Sequence, residues 1–192
     1  MDVNEFLEAV QKDVGSLCEE TDVKDDVIRG MLTNLGVGGS AAILEVCLEG
    51  AQNGSDLPYP VMRFHITLAK DIDKELYKDV TFALNQLNTV IASGEYPSIG
   101  NFCLYMPLGQ IFMSYRMPIN TDCLEGEVEN VRFFLGTVYE QLDIFADMVM
   151  FIANGNELVT MDEYLRYLKT IQDFENLEER AKKLADIVDK LA

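Results

Sequence analysis

With 192 residues, 48% of them hydrophobic, the chain is long enough to bury a core and too apolar to be disordered. Its net charge of −18, from 33 acidic and 15 basic residues, repels phosphate backbones and anionic membrane surfaces, and no local basic patch offsets it. No nucleic-acid partner and no membrane partner are expected, and the acidity favours solubility or a basic partner.

The opening "MDVNEFLEAV" carries acids where a signal peptide needs basic residues, and no apolar run approaches a membrane span. Cys18, Cys47, Cys103 and Cys123 lie far apart without a C-x-x-C, which suits reduced, mostly buried thiols. A cytoplasmic location is the expectation.

Asp2 and Glu5 form a capping-box pattern, and Val3, Phe6, Leu7, Val10, Val14 and Leu17 recur at helical spacing. A second short helix is predicted from Asp22, with Val23, Val27, Met31, Leu32 and Leu35 on one side and Gly36 as its stop. The glycine-rich "LGVGGSA" at 35–41 raises the question of a phosphate cradle. A Walker A loop requires Gly-Lys-Ser/Thr, and no lysine lies between Lys24 and Lys70. A dinucleotide fingerprint requires a strand before and a helix after, whereas the predicted order here is helix then strand. The stretch therefore reads as a turn.

"SAAILEVCLEG" follows as a half-buried strand, with Ala42, Leu44, Val46 and Leu48 on one face and Glu45 and Glu49 on the other. "AQNGSDLPYP" is a loop, and "VMRFHITLA" a strand with Met62, Phe64, Ile66 and Leu68 opposite Arg63, His65 and Thr67. Asp73 opens a helix with an apolar stripe of Leu76, Val80, Ala83, Leu84, Leu87 and Ile91, which Gly94 closes. "NFCLYMP" and "QIFMSYRMPI" form a hairpin around Leu108-Gly109. A long helix from about Glu127 to Ala153 is the most apolar in the chain and is expected to span the sheet.

Beyond it, Thr160 and Glu163 make a second capping box. Phe174, Leu177, Ala181, Leu184, Val188 and Leu191 then form a seam of only about two to three heptads, below what an autonomous coiled coil needs. Acid-before-base pairs such as Glu178–Lys182 and Asp186–Lys190 support helix there. The expected organisation is an α+β domain over 1–153 and a helical extension over 154–192, packed on the domain or at a dimer interface.

Few residues carry catalytic signals. His65 is the only histidine, mid-strand on a polar face, with no G-x-S-x-G motif in the chain. "DIDKE" at 71–75 places acids alternately as a calcium loop does, but Leu76 stands where glycine is required; helix N-terminal acids explain it. The 33 carboxylates always supply acid pairs and so point nowhere. No catalytic residue, metal or cofactor is expected. Met106, Met113 and Met117, with Met62 on an earlier strand, form a cluster that suits either core packing or adaptable peptide binding.

The stretch "ALNQLNTVIASGEYPSIGNFCLYMPLGQIFMSYRMPI" resembles the YbjN-like family, whose fold is shared with type III secretion chaperones. Asn85, Asn88, Gly94, Phe102, Gly109 and Arg116 stand at the matching positions, the long helix also fits, and the resemblance covers about residues 40–153. It implies a small acidic α+β protein, often dimeric, that binds another protein and does no chemistry. The tail after Asn154 and the short second helix depart from the family's pattern.

The expected fold is thus an antiparallel sheet of four to five strands flanked by helices, type III secretion chaperone-like. The expected function is non-enzymatic protein or peptide binding, as a regulator or chaperone, with homodimerisation open. Candidate partner-binding residues are Phe102, Met106, Met113, Tyr115, Arg116 and Met117, Arg116 pairing alternatively with a carboxylate. The alternative is a small-ligand-binding protein or enzyme with a pocket between the sheet and the long helix. A purely structural role through the C-terminal heptads is a third reading.

Overall fold

The computed structural model describes residues 1–50, 59–92 and 99–156. The capping box at Asp2 forms as expected: its carboxylate accepts the Asn4 and Glu5 N–H groups while Glu5 accepts the Asp2 N–H. It starts helix α1 (Val3–Leu17), which buries Phe6, Val10 and Val14, one residue per turn.

The second helix predicted from Asp22 does not form. Strands β1 (Thr21–Lys24) and β2 (Val27–Leu35) make an antiparallel hairpin there. Asp25 and Asp26 both adopt positive φ, 53° and 61°, as a two-residue hairpin turn of matching twist requires. In β2 the inward positions are Ile28, Gly30 and Leu32, and Gly30 has no side chain because one would overlap Cys18 Sγ. That gap breaks the apolar alternation and leaves the four-residue spacing of Val23, Val27 and Met31 to imitate a helix. Asn34, at φ 57°, sits in a bulge that shifts the register before Leu35.

Strands β3 (Ser40–Glu49), β4 (Val61–Ala69), β5 (Phe102–Tyr105) and β6 (Gln110–Pro118) complete the sheet, with helices α2 (Tyr77–Ala92) and α3 (Leu124–Ala153). The order is β1-β2-β3-β4-β6-β5, every pair antiparallel. Among the described residues the architecture is the expected α+β one, with six strands rather than four to five, the predicted short helix having become a hairpin. The expected loop over 51–60 falls mostly outside the described residues, and so do Gly94, the Thr160/Glu163 pair and the heptad seam.

The three helices of the described residues pack on one face of the sheet. There Ile28, Leu32, Leu44, Val46, Met62, Phe64, Ile66, Ile111, Met113 and Phe102 join the buried faces of α1, α2 and α3 in a single core. Phe134 of α3 lies between Phe64 (ring centroids 4.4 Å apart) and Tyr115 (4.6 Å), and Phe145 meets the edge of Phe102. Two amides pin the β5 edge. Asn88 accepts the Phe102 N–H and donates to its carbonyl, both at 2.9 Å, standing in for a neighbouring strand. The fully buried Gln141 does the same for Ile99 N–H and the Gly100 carbonyl.

Candidate functional site

The glycine stretch is a turn, as the sequence implies, between β2 and β3. Its backbone N–H groups converge on an anion, but the anion is the protein's own. Val37 and Gly38 donate to the Asp147 carboxylate at 2.6 and 2.9 Å, and Gly36 donates to Asp143 at 3.0 Å. Asp147 is 1% exposed, so these charge-assisted bonds compensate the burial of its charge. Gly36 combines φ +69° with an approach so close that a Cβ would lie 2.6 Å from that carboxylate. The turn is an anchor tying the sheet to α3.

Among the described residues the opposite face of the sheet carries no helix, and it has three bands. In the first, Glu49 bridges Arg63 (3.1 Å) and Arg116 (3.2 Å), which face each other across β4 and β6. In the second, Arg29 Nε donates to Glu45 at 2.8 Å, and Glu45 lies opposite His65. The third is apolar: Met31 pairs with Ile43, Ile43 with Thr67, and Thr67 with Phe112 across four strands. Phe112 stacks on His65 (5.0 Å) and meets the edge of Tyr105 (6.5 Å). Two hollows of about 270 Å³ each flank this band and share Met31 and Ile43 as lining residues. Met31 is 40% and Tyr105 47% exposed, unusual for large apolar side chains standing together on one surface. Thr67 is buried beneath them, accepting a hydrogen bond from Gln110 Nε2.

The six residues selected from sequence do not form one surface. Phe102 and Met113 are cross-strand partners buried at 1% exposure on the helix side. Met117 is half-buried on that side, and Tyr115 is stacked against Phe134. Met106 is exposed at the β5–β6 connection, where its carbonyl accepts the Tyr77 hydroxyl at 2.7 Å. Arg116 alone lies on the open face, paired with Glu49. Sequence reasoning passed over Met31, Ile43, Phe112 and Tyr105. Their signal was present: each alternates with core residues on a strand yet is itself large and apolar.

His65 and Cys18 are engaged in packing. Burial lowers the pKa of His65, and nearby Glu45 only partly offsets this, so the stacked ring is neutral at neutral pH. Burial pushes the Cys18 thiol up to about 11, which keeps it protonated and unreactive. All four cysteines are free thiols. Among the described residues no three His, Cys, Asp or Glu side chains gather as a metal site, and no helix is long and apolar enough to cross a membrane.

Compared with protein-family models, curated proteins and solved structures, the chain finds no match. The YbjN-like resemblance therefore rests on its quoted residues. Several of these have local structural work: Asn88 seals β5, Phe102 is core, Gly109 turns the hairpin at φ 55°, and Arg116 pairs with Glu49.

Proposed function

We propose that the protein is a non-enzymatic module that binds a protein or peptide through the open face of its sheet. One observation carries the reading: among the described residues the helices pack on one side, and the other side keeps a continuous apolar band between Met31 and Tyr105 beside three arginines. Burying such a band releases about 25 cal/mol per Å² of apolar surface, and an anchor centred in a hollow contributes most. Arg29 and Arg116 are 40% and 59% exposed, each with one carboxylate partner, so they can still accept a second. The partner this surface fits has clustered apolar side chains flanked by acidic residues. The chain's net charge of −18 repels an acidic partner at long range, so the apolar band supplies the attraction and the arginines only orient the acids at contact.

The space between the sheet and α3, where a small-molecule pocket was the alternative, is occupied by Phe64, Phe134, Tyr115 and Phe145. A peptide-display selection against the full chain tests the reading. Enriched peptides should carry apolar residues near acids and lose binding to Phe112→Glu, while Phe82→Glu on the outer face of α2 binds normally. Peptides that bind both variants equally, or a selection that enriches nothing while small molecules raise the melting temperature, would overturn it.

A further inference from the structure

We propose that Arg63, Glu49 and Arg116 form a register-setting site for a carboxylate of an extended peptide, and that Glu49 occupies Arg116 until that carboxylate arrives. The inference rests on the reading of the open face as a peptide-binding surface and adds what fixes the peptide's position on it.

Charge balance is the first argument. Arg63 and Arg116 stand directly opposite each other on β4 and β6, a pairing of like charges that is unfavourable without an anion between them. Glu49 supplies one carboxylate for the two guanidinium groups, 3.1 Å from Arg63 Nε and 3.2 Å from Arg116 Nε. The cluster therefore keeps one positive charge in excess. Glu49 also serves the two arginines unequally. Its Oε2 accepts a hydrogen bond from Arg116, whereas Arg63 Nε is buried and has no aligned acceptor among the described residues. Arg116 is the most exposed of the three side chains and the one a ligand reaches. A second carboxylate there neutralises the excess charge and releases Glu49 to turn toward Arg63.

Spacing is the second. Tyr105 pairs with Gln110, Phe112 stands two residues further along β6, and Arg116 four beyond that. At about 3.4 Å per residue, Phe112 and Arg116 are roughly 13 Å apart along the strand, with the Ser114–His65 pair between them. An extended chain laid along β6 has the same rise and the same two-residue alternation. Apolar side chains at its first and third positions meet Tyr105 and Phe112, the fifth passes over Ser114 and His65, and a carboxylate at the seventh reaches Arg116. A helix rises only about 1.5 Å per residue and would need its acid roughly nine residues from the anchor.

Fluorescence anisotropy of labelled peptides on the full chain tests the site. Each peptide carries leucine at its first and third positions and one glutamate at the fifth, seventh, ninth or twelfth, in a serine and alanine background, and each is made in both chain directions. In one direction, glutamate at the seventh position should bind about fivefold tighter than at the fifth or ninth, the upper range for an exposed ion pair. Arg116→Gln should abolish that preference. Glu49→Gln removes the competing carboxylate, so it should tighten the seventh-position peptide severalfold and leave a glutamate-free peptide unchanged, an opposite sign that a merely structural role for the cluster does not give. If circular dichroism shows that Arg116→Gln does not fold, Arg116→Lys replaces it, and the preference should weaken with the loss of the planar fork. Affinity that is independent of glutamate position, that is strongest with glutamate at the twelfth, or that falls in Glu49→Gln overturns the inference. The two proposals fail separately: peptides that lose binding to Phe112→Glu yet show no positional preference remove the register site and keep the function, and a parent protein that binds no peptide of either direction removes both.

Discussion

Met113 separates a core residue from a partner-contact residue most sharply. It is 1% exposed, pairs across strands with Phe102 and Ile66, and fills the space beside Gly100, where a Cβ would lie 3.3 Å from its Cγ. Met113→Ala removes three heavy atoms from a site bounded by the sheet and α3, and such truncations cost about 2–5 kcal/mol. With a urea slope of about 2 kcal/mol per M, the unfolding midpoint should fall by roughly 1–2.5 M. Met113→Glu should not fold, because the new carboxylate would be buried without a partner. Met31→Ala, on the open face, should move the midpoint by less than about a quarter of that, most surface changes staying within ~0.5 kcal/mol. Urea titration followed by circular dichroism reads all three. A Met113→Ala midpoint within 0.3 M of the parent, taking roughly 0.5 kcal/mol as the limit for a surface site, would refute the assignment of the two faces.

Asp147→Ala strands the Val37 and Gly38 N–H groups, so stability should drop by about 2–3 kcal/mol in the same titration. Gly36→Ala should cost more than about 2 kcal/mol, combining a left-handed φ with a clash against Asp147, whereas Gly39→Ala, with φ +63° but open space around it, should cost only the backbone strain, about 1 kcal/mol. Because the folded-state pKa of His65 lies below 6.5, its contribution is fully present above pH 6.5 and declines as the pH falls from there toward the folded value. His65→Gln should flatten that part of the stability profile relative to the parent, as measured by thermal unfolding across pH 5–8. Phe134→Ala should destabilise by about 3–5 kcal/mol and its neighbour Phe133→Ala, 79% exposed, by less than ~0.5 kcal/mol.

Much of the fold was legible because periodicity reports burial directly. The inward residues of β3 and β4 and the stripe of α2 follow the alternation and the 3.6-residue repeat. The β1–β2 hairpin was not, for three local reasons. Its turn is Asp25-Asp26 without a glycine, Gly30 empties one inward position for Cys18, and the Asn34 bulge shifts the register. The site was harder to read. Alternation on β6 separates Met113 from Phe112 but does not say which side the helices cover, and both sides carry large apolar residues. The methionine cluster pointed to the covered side. The anchor of the glycine turn joins residues more than a hundred positions apart, yet it had one visible mark: Asp147 stands alone in "IFADMVMFIA", an acid with no place in an apolar stripe unless donors meet it.

The most direct test of peptide binding at the open face is oxidative footprinting of the full chain with and without a selected peptide. The account predicts protection of Met31, Tyr105 and Phe112 on binding, with Phe82 and Phe133 on the outer helix faces unchanged. Protection of Phe82 or Phe133 instead, with the sheet residues unaffected, would contradict it.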